Sequence, residues 1–178
     1  MSHPPWNDWY HVTGSTHGSW LRGDPRGWRT RHHRQHVEGD YKNPPKPEDY
    51  QSLLAQSKAL MAPDEAIRLS PDARRLACDI FAAALRFHEI DTVAIAVGAT
   101  HYHILARFRD HNPRKWVGIA KSRSARHLSE SGHCDAGGVW ALRCRCWPIN
   151  DRNHQVATAR YIVRHAREGA AIWRLGVG

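Results

Sequence analysis

The chain is predicted to fold as an α+β domain with a ferredoxin-like core, in which helices pack on a mostly antiparallel sheet. Three observations predict this class. Several segments of strand length are apolar or alternate between apolar and polar residues, others repeat apolar residues at helical spacing, and the two kinds interleave. Their order, β, α, β, β, α, β, α, β, fits a ferredoxin-like core with an added helix. The length of 178 residues suits one domain over 1–178.

The N-terminal part begins with a strand and continues into an insertion. Trp9–Thr13 alternates as a strand does, and Gly14 and Gly18 bracket a turn. Residues 19–47 are rich in Gly, Arg and His without clear periodicity. They predict a long ordered loop, an Arg/His-rich insertion at about 17–47, and loops of that length are usually functional or disordered.

The clearest helix of the sequence follows the insertion. The pattern first favours a helix over 47–61 and allows a short strand over 65–69. Ser70 is then a good N-cap and Pro71 suits the first helical position. Apolar residues recur at helical spacing from there to about His88, which predicts an amphipathic helix.

Two strands and a helix occupy the middle of the chain. Residues 92–97 form a nearly continuous apolar run, a break follows at 98–100, and 101–108 alternates again. The two runs are therefore predicted to be neighbouring antiparallel strands. Asn112 and the proline after it cap a basic helix that extends to about Leu128.

The C-terminal part is predicted as a strand, a helix and a strand. Residues 139–147 alternate as a strand does, and Asp151 or Asn153 starts the last helix. Gly169 lies where a C′ glycine would end that helix, and 170–175 forms a final strand.

The composition favours a polyanionic partner. Lys and Arg total 26 against 17 Asp and Glu, so the net charge is +9 before any of the 14 histidines takes a proton. Such a balance is most often found in proteins that bind nucleic acid. No stretch is long and apolar enough to span a bilayer and no signal peptide is evident. We therefore expect a soluble cytoplasmic protein of bacterial type, associated with the nucleoid, that does not bind membranes.

The four cysteines include no CxxC pair. Cys144 and Cys146 alternate on a strand and so point to the same face. Zinc binding is conceivable, but small buried thiols in a reducing compartment are favoured for Cys78, Cys134, Cys144 and Cys146.

Two histidines on one strand form the first half of a candidate site. His101 and His103 are separated by two residues, so their imidazoles face the same side of the sheet and can converge on one metal. The alternative is two histidines on the polar face of a half-buried strand. A chain this rich in histidine contains about one such pair by chance, so the motif alone does not decide.

A tyrosine and a histidine on the last helix form the second half. Tyr161 and His165 are four residues apart, which places them one turn apart on the same face with about 5–6 Å between their Cβ atoms. The tyrosine can then approach a phosphate held by a metal that the histidine also binds. The alternative is a core tyrosine beside a surface histidine.

In combination, these residues resemble the single-tyrosine HUH transposases, and most closely the REP-associated tyrosine transposases and their relatives. The family's motif is His, a hydrophobic residue, His, and its nucleophilic tyrosine lies on a downstream helix. Residues 97–105 look like the strand with the histidine pair, 119–124 is similar to the basic helix, and 161–165 resembles the tyrosine helix. Residues 10–13 and 18–28 look like an opening found in some relatives.

The resemblance implies an HUH core and an enzyme that nicks and joins single-stranded DNA, a transposase or endonuclease. Its reaction gives a 5′-phosphotyrosine and a free 3′-hydroxyl. Tyr161 would be the nucleophile, whereas Tyr102 should point away from the histidine face. The metal ligands would be His101, His103 and His165. The partner would be single-stranded DNA with a hairpin, bound by a monomer or homodimer.

The metal implied by the resemblance is Mg²⁺ or Mn²⁺, which would polarise the scissile phosphate. Imidazole favours metals softer than magnesium, so three histidines raise the expectation of Mn²⁺. A free tyrosine has a pKa near 10, so positive charge must favour its phenolate; the metal, Arg160 and Arg164 are candidates.

Basic and aromatic residues around the site suit a surface that tracks a single strand, since cations contact phosphates and aromatic rings stack on bases. The alternative is a solvated loop and ordinary exposed helix faces. The residues predicted to contact DNA are Arg22, Arg26, Trp28, Arg29, Arg31, Lys121, Arg160 and Arg164.

Two other functions remain open from the sequence. One is a catalytically inactive or domesticated module that binds DNA or RNA. The other is a metal-dependent phosphodiesterase that uses water, in which Tyr161 is merely structural.

Overall fold

The computed structural model describes four stretches of the chain: 4–19, 51–59, 66–134 and 138–176. The chain divides into two compact units, of which the first comprises Met1–Thr16 with Arg68–Gly178 and the second comprises His17–Ile67. The predicted insertion at about 17–47 belongs to the second unit, and only 17–19 of it lie within the described residues. The described helix of this unit is α1, Gln51–Ala59, which falls inside the range predicted as helical.

The first unit contains a five-stranded sheet in the order β4-β1-β3-β2-β5, and every neighbouring pair is antiparallel. The strands are β1 (Trp9–Thr16), β2 (Thr92–Val97), β3 (His101–Arg107), β4 (Trp140–Pro148) and β5 (Ala171–Arg174). The helices of this unit are α2 (Pro71–Phe87), α3 (Pro113–Glu130) and α4 (Arg152–Arg164), with a 3-10 turn at His165–Glu168. The chain order β1-α2-β2-β3-α3-β4 with the sheet order β4-β1-β3-β2 is a ferredoxin-like arrangement, extended by α4 and β5. The predicted α+β class with helices on an antiparallel sheet is therefore confirmed.

Each helix of the first unit begins at a side-chain cap that satisfies a free backbone N–H. The Ser70 hydroxyl accepts from the third residue of its helix, as the sequence predicts. The Asn112 side chain does the same for α3, and the Asp151 carboxylate accepts from the His154 N–H at 2.7 Å. Asp151, rather than Asn153, is thus the N-cap of α4. Within the described stretches, no helix has the length and apolar character needed to cross a membrane.

The first strand is longer than predicted, because Gly14 is a strand residue and not the start of a turn. The Tyr102 ring packs directly over Gly14, and a Cβ added there would lie 2.4 Å from the tyrosine Oη. The turn lies at 17–18, where Gly18 has a φ of 73°. The short strand allowed at 65–69 is not formed over 66–69, although the Leu69 N–H donates to the Ala99 carbonyl.

Strand alternation divides the side chains of β3 between two layers. Tyr102 is fully buried on one face, where its ring contacts Phe81 of α2 and Trp140. The opposite face packs against α4 through Leu105 and Ile162. Tyr102 therefore points away from the histidine face, as predicted.

Candidate metal and nucleophile site

Three histidines converge on the face of the sheet that α4 covers. His101 and His103 lie two residues apart on β3, and His165 begins the 3-10 turn that continues α4. One ring nitrogen from each lies within 4.8 Å of the others. The ring centroids of His103 and His165 are 4.5 Å apart, and that of His101 lies 5.2 and 5.4 Å from theirs. The three imidazoles are therefore spaced to hold one metal ion.

Hydrogen bonds orient two of these rings. The Nδ1–H of His165 donates to the Tyr161 carbonyl at 3.1 Å, which leaves Nε2 with the free lone pair. The Nδ1 of His103 lies 3.1 Å from the Nε2 of His11. When the His103 Nδ1–H donates across this contact, its Nε2 is likewise free to bind a cation. Histidine ligands in proteins almost always have their second nitrogen engaged in this way.

His11 is a member of the site that the sequence did not identify. It lies on β1, and its ring stacks on that of His103 with centroids 5.2 Å apart. The pairing of Thr13 with His103 places His11 diagonally beside it on the same face. The alternation of residues predicted the strand, but only the register between β1 and β3 reveals which histidines meet.

Burial favours the neutral form of three imidazoles of the site, those of His11, His101 and His103, by lowering the pKa of each. It lowers the pKa of His11 to about 4 and that of His103 to about 3, and neighbouring histidines add to both shifts. The pKa of His101 is also lowered, first by burial and then by His165. Metal ligation requires the neutral form of imidazole. The free protein therefore holds His103 and His101 in the protonation state that binds a cation.

The His101 ring lies close to the backbone of Gly98, where a side chain would crowd it. Gly98 begins the turn that joins β2 to β3, and its N–H donates to the His101 carbonyl at 2.8 Å. A Cβ at Gly98 would lie 3.1 Å from the Cε1 of the His101 ring. The absence of a side chain there thus leaves room for the imidazole.

Tyr161 stands at the solvent side of the histidine cluster. Its side chain is 45% exposed, and its ring lies edge-on to His165 and His103 at centroid distances of 4.8 and 5.4 Å. Partial burial, and then the Glu168 carboxylate, raises the pKa of its phenol. The phenol is accordingly protonated at neutral pH, and a cation held by the histidines would favour its ionisation.

The donor set fits a divalent transition metal. Three imidazole nitrogens suit Mn²⁺ and related ions better than Mg²⁺, which prefers oxygen ligands. Two of the three rings have their second nitrogen within hydrogen-bond distance of a partner. The histidine cluster, defined as His101, His103 and His165, can therefore bind a metal ion.

The residues predicted to contact DNA differ in their exposure and in their position on the fold. The sequence suggested that Lys121 is an exposed cation. In the structure Lys121 is buried, with an exposed fraction of only 8%. Its ammonium donates to the carbonyls of Ala141 and Leu142 and so ties α3 to β4. Arg160 and Arg164 are exposed and line a groove beside α4. The remaining predicted contacts, Arg22, Arg26, Trp28, Arg29 and Arg31, lie outside the described residues.

Comparisons with known proteins found a likeness among solved structures. No protein-family model matches the chain, and no curated protein matches it. A solved structure of a REP-associated tyrosine transposase bound to a REP hairpin is similar over 95% of this chain and 73% of that chain, with 12% identity and a TM-score of 0.48. A likeness at this level establishes neither family nor activity, so the function proposed below rests on the side chains of the site.

Proposed function

We propose that the chain is a metal-dependent enzyme that nicks and rejoins single-stranded DNA through Tyr161, the chemistry of HUH transposases and endonucleases in DNA transposition and recombination. The observation that carries this proposal is the position of Tyr161. A half-exposed phenol stands against three imidazoles that are spaced to hold one cation. A nucleophile and a metal site in contact at the surface are what an attack on a phosphodiester requires.

The metal would be held by His101, His103 and His165. When bound, the cation would supply positive charge that offsets the charge of the scissile phosphate and favours the phenolate of Tyr161. His11 would keep His103 oriented through their shared hydrogen bond. The Tyr161 carbonyl would do the same for the third histidine, which couples the nucleophile's residue to the metal shell.

The reaction would exchange one phosphoester bond for another. The Tyr161 Oη loses its proton and bonds to phosphorus, the bond from phosphorus to the 3′ oxygen breaks, and that oxygen gains a proton to become a 3′-hydroxyl. The product is a 5′-phosphotyrosine. Attack by a 3′-hydroxyl on this ester reverses the step and releases the tyrosine, so joining requires no ATP.

One observation favours a second function, hydrolysis by a metal-activated water. Burial and Glu168 both raise the pKa of Tyr161, which disfavours the phenolate in the free protein. In that case the metal held by the histidine cluster would still bind the phosphate, and Tyr161 would only shape the surroundings of that metal.

A covalent-adduct assay separates these functions. The protein is incubated with Mn²⁺ and a single-stranded hairpin DNA labelled at its 3′ end, because the 5′-phosphotyrosine retains the 3′ fragment. We expect the wild-type protein to give a labelled adduct that survives denaturation. Tyr161→Phe and a chelator should each abolish it. Tyr10→Phe is the matched control, since Tyr10 lies on the opposite face of the sheet beside Phe108 and should leave the adduct unchanged.

Each other outcome contradicts the proposal in a defined way. Cleavage without an adduct would identify water as the nucleophile. Binding of DNA with neither cleavage nor adduct would identify a nucleic-acid-binding module. Full adduct yield in Tyr161→Phe would mean that another residue attacks the phosphate.

A further inference from the structure

A basic groove lies along the flank of α4 that faces β5. It encloses a cavity of about 760 Å³ between α4, the 3-10 turn after it, β2 and β5. Five exposed arginines line it, and we call this lining the arginine groove: Arg152, Arg160, Arg164, Arg167 and Arg174. Five of the chain's 26 lysines and arginines therefore line this one groove.

Within the described part of the chain, no ion pair neutralises the arginines of the groove. Among the described residues that line it, none is acidic. The ion pairs between described residues involve other cations, at Arg107, Arg109, His111 and His127. Arg152 donates to the Gln155 side chain, an uncharged partner. Clustered cations repel each other, so a polyanion is the ligand that this groove favours most.

The floor of the groove is apolar. Val156, Ala159 and Val163 of α4 line it, each half-buried, together with Val93 and Ala94 of β2. Cations at the rim of an apolar floor match a nucleic-acid strand, whose phosphates lie outside and whose unpaired bases present flat apolar faces.

The groove and the histidine cluster lie on opposite flanks of one helix. Arg160 and Arg164 directly precede Tyr161 and His165 in sequence. The cluster is on the side of α4 towards β1 and β3, whereas the groove is on the side towards β2 and β5. A helix is roughly 10 Å across, so a strand held at Tyr161 can cross α4 over the two arginines and enter the groove.

We propose that the arginine groove binds the segment of single strand that flanks the segment held at Tyr161. Its arginines contact successive phosphates, and its apolar floor takes an unpaired base. This assignment rests on the proposed function for the identity of the strand, and it adds a second binding locus that contains none of the metal ligands.

The test measures binding without chemistry. Full-length Tyr161→Phe protein in EDTA is titrated into a fluorescently labelled oligothymidine at several salt concentrations, and anisotropy gives the dissociation constant. This Tyr161→Phe protein is the parent, and the groove variant carries Arg160→Gln and Arg167→Gln in addition. The matched control adds Arg75→Gln and Arg86→Gln, which are exposed on α2 and lie on the other face of the sheet.

Loss of two phosphate contacts should change both affinity and salt dependence. For a single strand the logarithmic salt slope falls by about 0.7 per contact, so the groove variant should lose about 1.4 from its slope and bind roughly tenfold or more weakly at 0.1 M salt. The control should match the parent in both quantities. An abasic strand should bind the parent several-fold more weakly than oligothymidine, because stacking on the floor is lost.

Different results would overturn the assignment of the arginine groove and the proposed nuclease function. If the groove variant and the control have equal affinities and slopes, the groove does not bind the strand, whatever the adduct assay shows. Tighter binding of duplex than of single strand would also overturn it. If the groove variant weakens binding while the wild-type protein forms no adduct, the groove stands as a nucleic-acid site and the proposed nuclease function fails.

Discussion

Two contacts orient two rings of the histidine cluster, one to a side chain and one to a backbone carbonyl. The contact between His11 and His103 engages the Nδ1 of His103, and the carbonyl of Tyr161 engages the Nδ1 of His165. The carbonyl can only accept, so His165 donates from Nδ1 and presents Nε2 to a metal, and His103 does the same when its own Nδ1–H donates to His11. In the proposed metal site, His11 would therefore act through His103 as a positioning residue.

Removal of this contact should weaken metal binding. We expect His11→Ala to lower the affinity for Mn²⁺ by about 10- to 100-fold, the usual effect of losing an outer hydrogen bond to a metal ligand. His11→Gln should retain most of the affinity, because its amide oxygen can accept from the His103 Nδ1–H. Calorimetric titration with Mn²⁺ measures both. Equal affinities in the wild type and His11→Ala would exclude the positioning role.

On the opposite face of the sheet, the Tyr102 ring packs over Gly14, which has no side chain. Gly14→Ala places a Cβ against the Tyr102 ring, at 2.4 Å from its Oη, so either the ring or the strand must shift. We expect a loss of roughly 1–3 kcal/mol in the free energy of unfolding, as for other overpacked cores. Urea denaturation measures it. The same substitution in a Tyr102→Leu background should cost clearly less, and equal costs would show that the two side chains do not compete.

At the scale of elements, α4 and the turn after it position half of the site. The helix carries Tyr161, and its continuation into a 3-10 turn carries His165. Ile162 on the same helix is fully buried against the sheet, which fixes the rotation of the helix. Tyr161 consequently remains at the surface beside the histidines of β3.

The N-cap of α4 should contribute to its stability. The Asp151 carboxylate accepts from the His154 N–H at 2.7 Å. We expect Asp151→Ala to cost about 1 kcal/mol of unfolding free energy, measured by thermal or urea denaturation. Asn153→Ala is the control, because that residue is exposed within the helix and should change stability by less than about 0.5 kcal/mol. A larger loss in Asn153→Ala than in Asp151→Ala would contradict this assignment.

The elements themselves were largely predictable, because their signals are local. Caps such as Ser70, alternation in β2 and β3, and the glycine after α4 are all visible within a few residues. The errors and omissions depend on contacts between distant parts of the chain. Gly14 was predicted as a turn because its partner Tyr102 is 88 positions away, and Lys121 appeared exposed because its carbonyl partners belong to another element.

The same distinction applies to the candidate site. The spacing of His101 and His103 on a strand and of Tyr161 and His165 on a helix predicted two half-sites. Their meeting follows from the packing of α4 on the sheet. The participation of His11 requires the register of β1 against β3, which sequence periodicity does not specify.

At the scale of the whole molecule, buried histidines link stability to pH. The folded-state pKa values of His11 and His103, about 4 and about 3, lie below the unfolded value near 6.5. The unfolded chain therefore binds protons more readily below pH 6.5. The stability contributed by these groups is fully present above that pH and is lost as the pH falls towards 4.

We expect the metal-free protein to show a falling urea midpoint between pH 7 and pH 5, before most carboxylates titrate. The double variant His11→Gln with His103→Gln lacks both titrating groups and should show a smaller decrease. Denaturation curves at pH 7, 6 and 5 provide the comparison. A wild-type midpoint that is constant over this range would contradict the assignment of buried, neutral imidazoles.

Charge and chemistry are arranged around one helix. The histidine cluster lies on one flank of α4 and the arginine groove on the other, and Tyr161 is half-exposed beside the cluster. In the proposed reaction, the metal would be held on one side of the helix and the flanking strand on the other. This chemistry requires that Tyr161 forms the covalent bond to DNA.

Tryptic mapping of the adduct identifies the residue that is bonded to DNA. Trypsin cleaves after Arg160 and after Arg164 and so releases the four-residue peptide 161–164, whose only tyrosine is Tyr161. After reaction with Mn²⁺ and hairpin DNA, followed by nuclease and trypsin digestion, tandem mass spectrometry locates the modified residue. We expect a nucleotide 5′-phosphate on Tyr161. Modification of the peptide that contains Tyr102, or cleaved DNA with no modified peptide, would contradict the assignment of Tyr161 as the nucleophile.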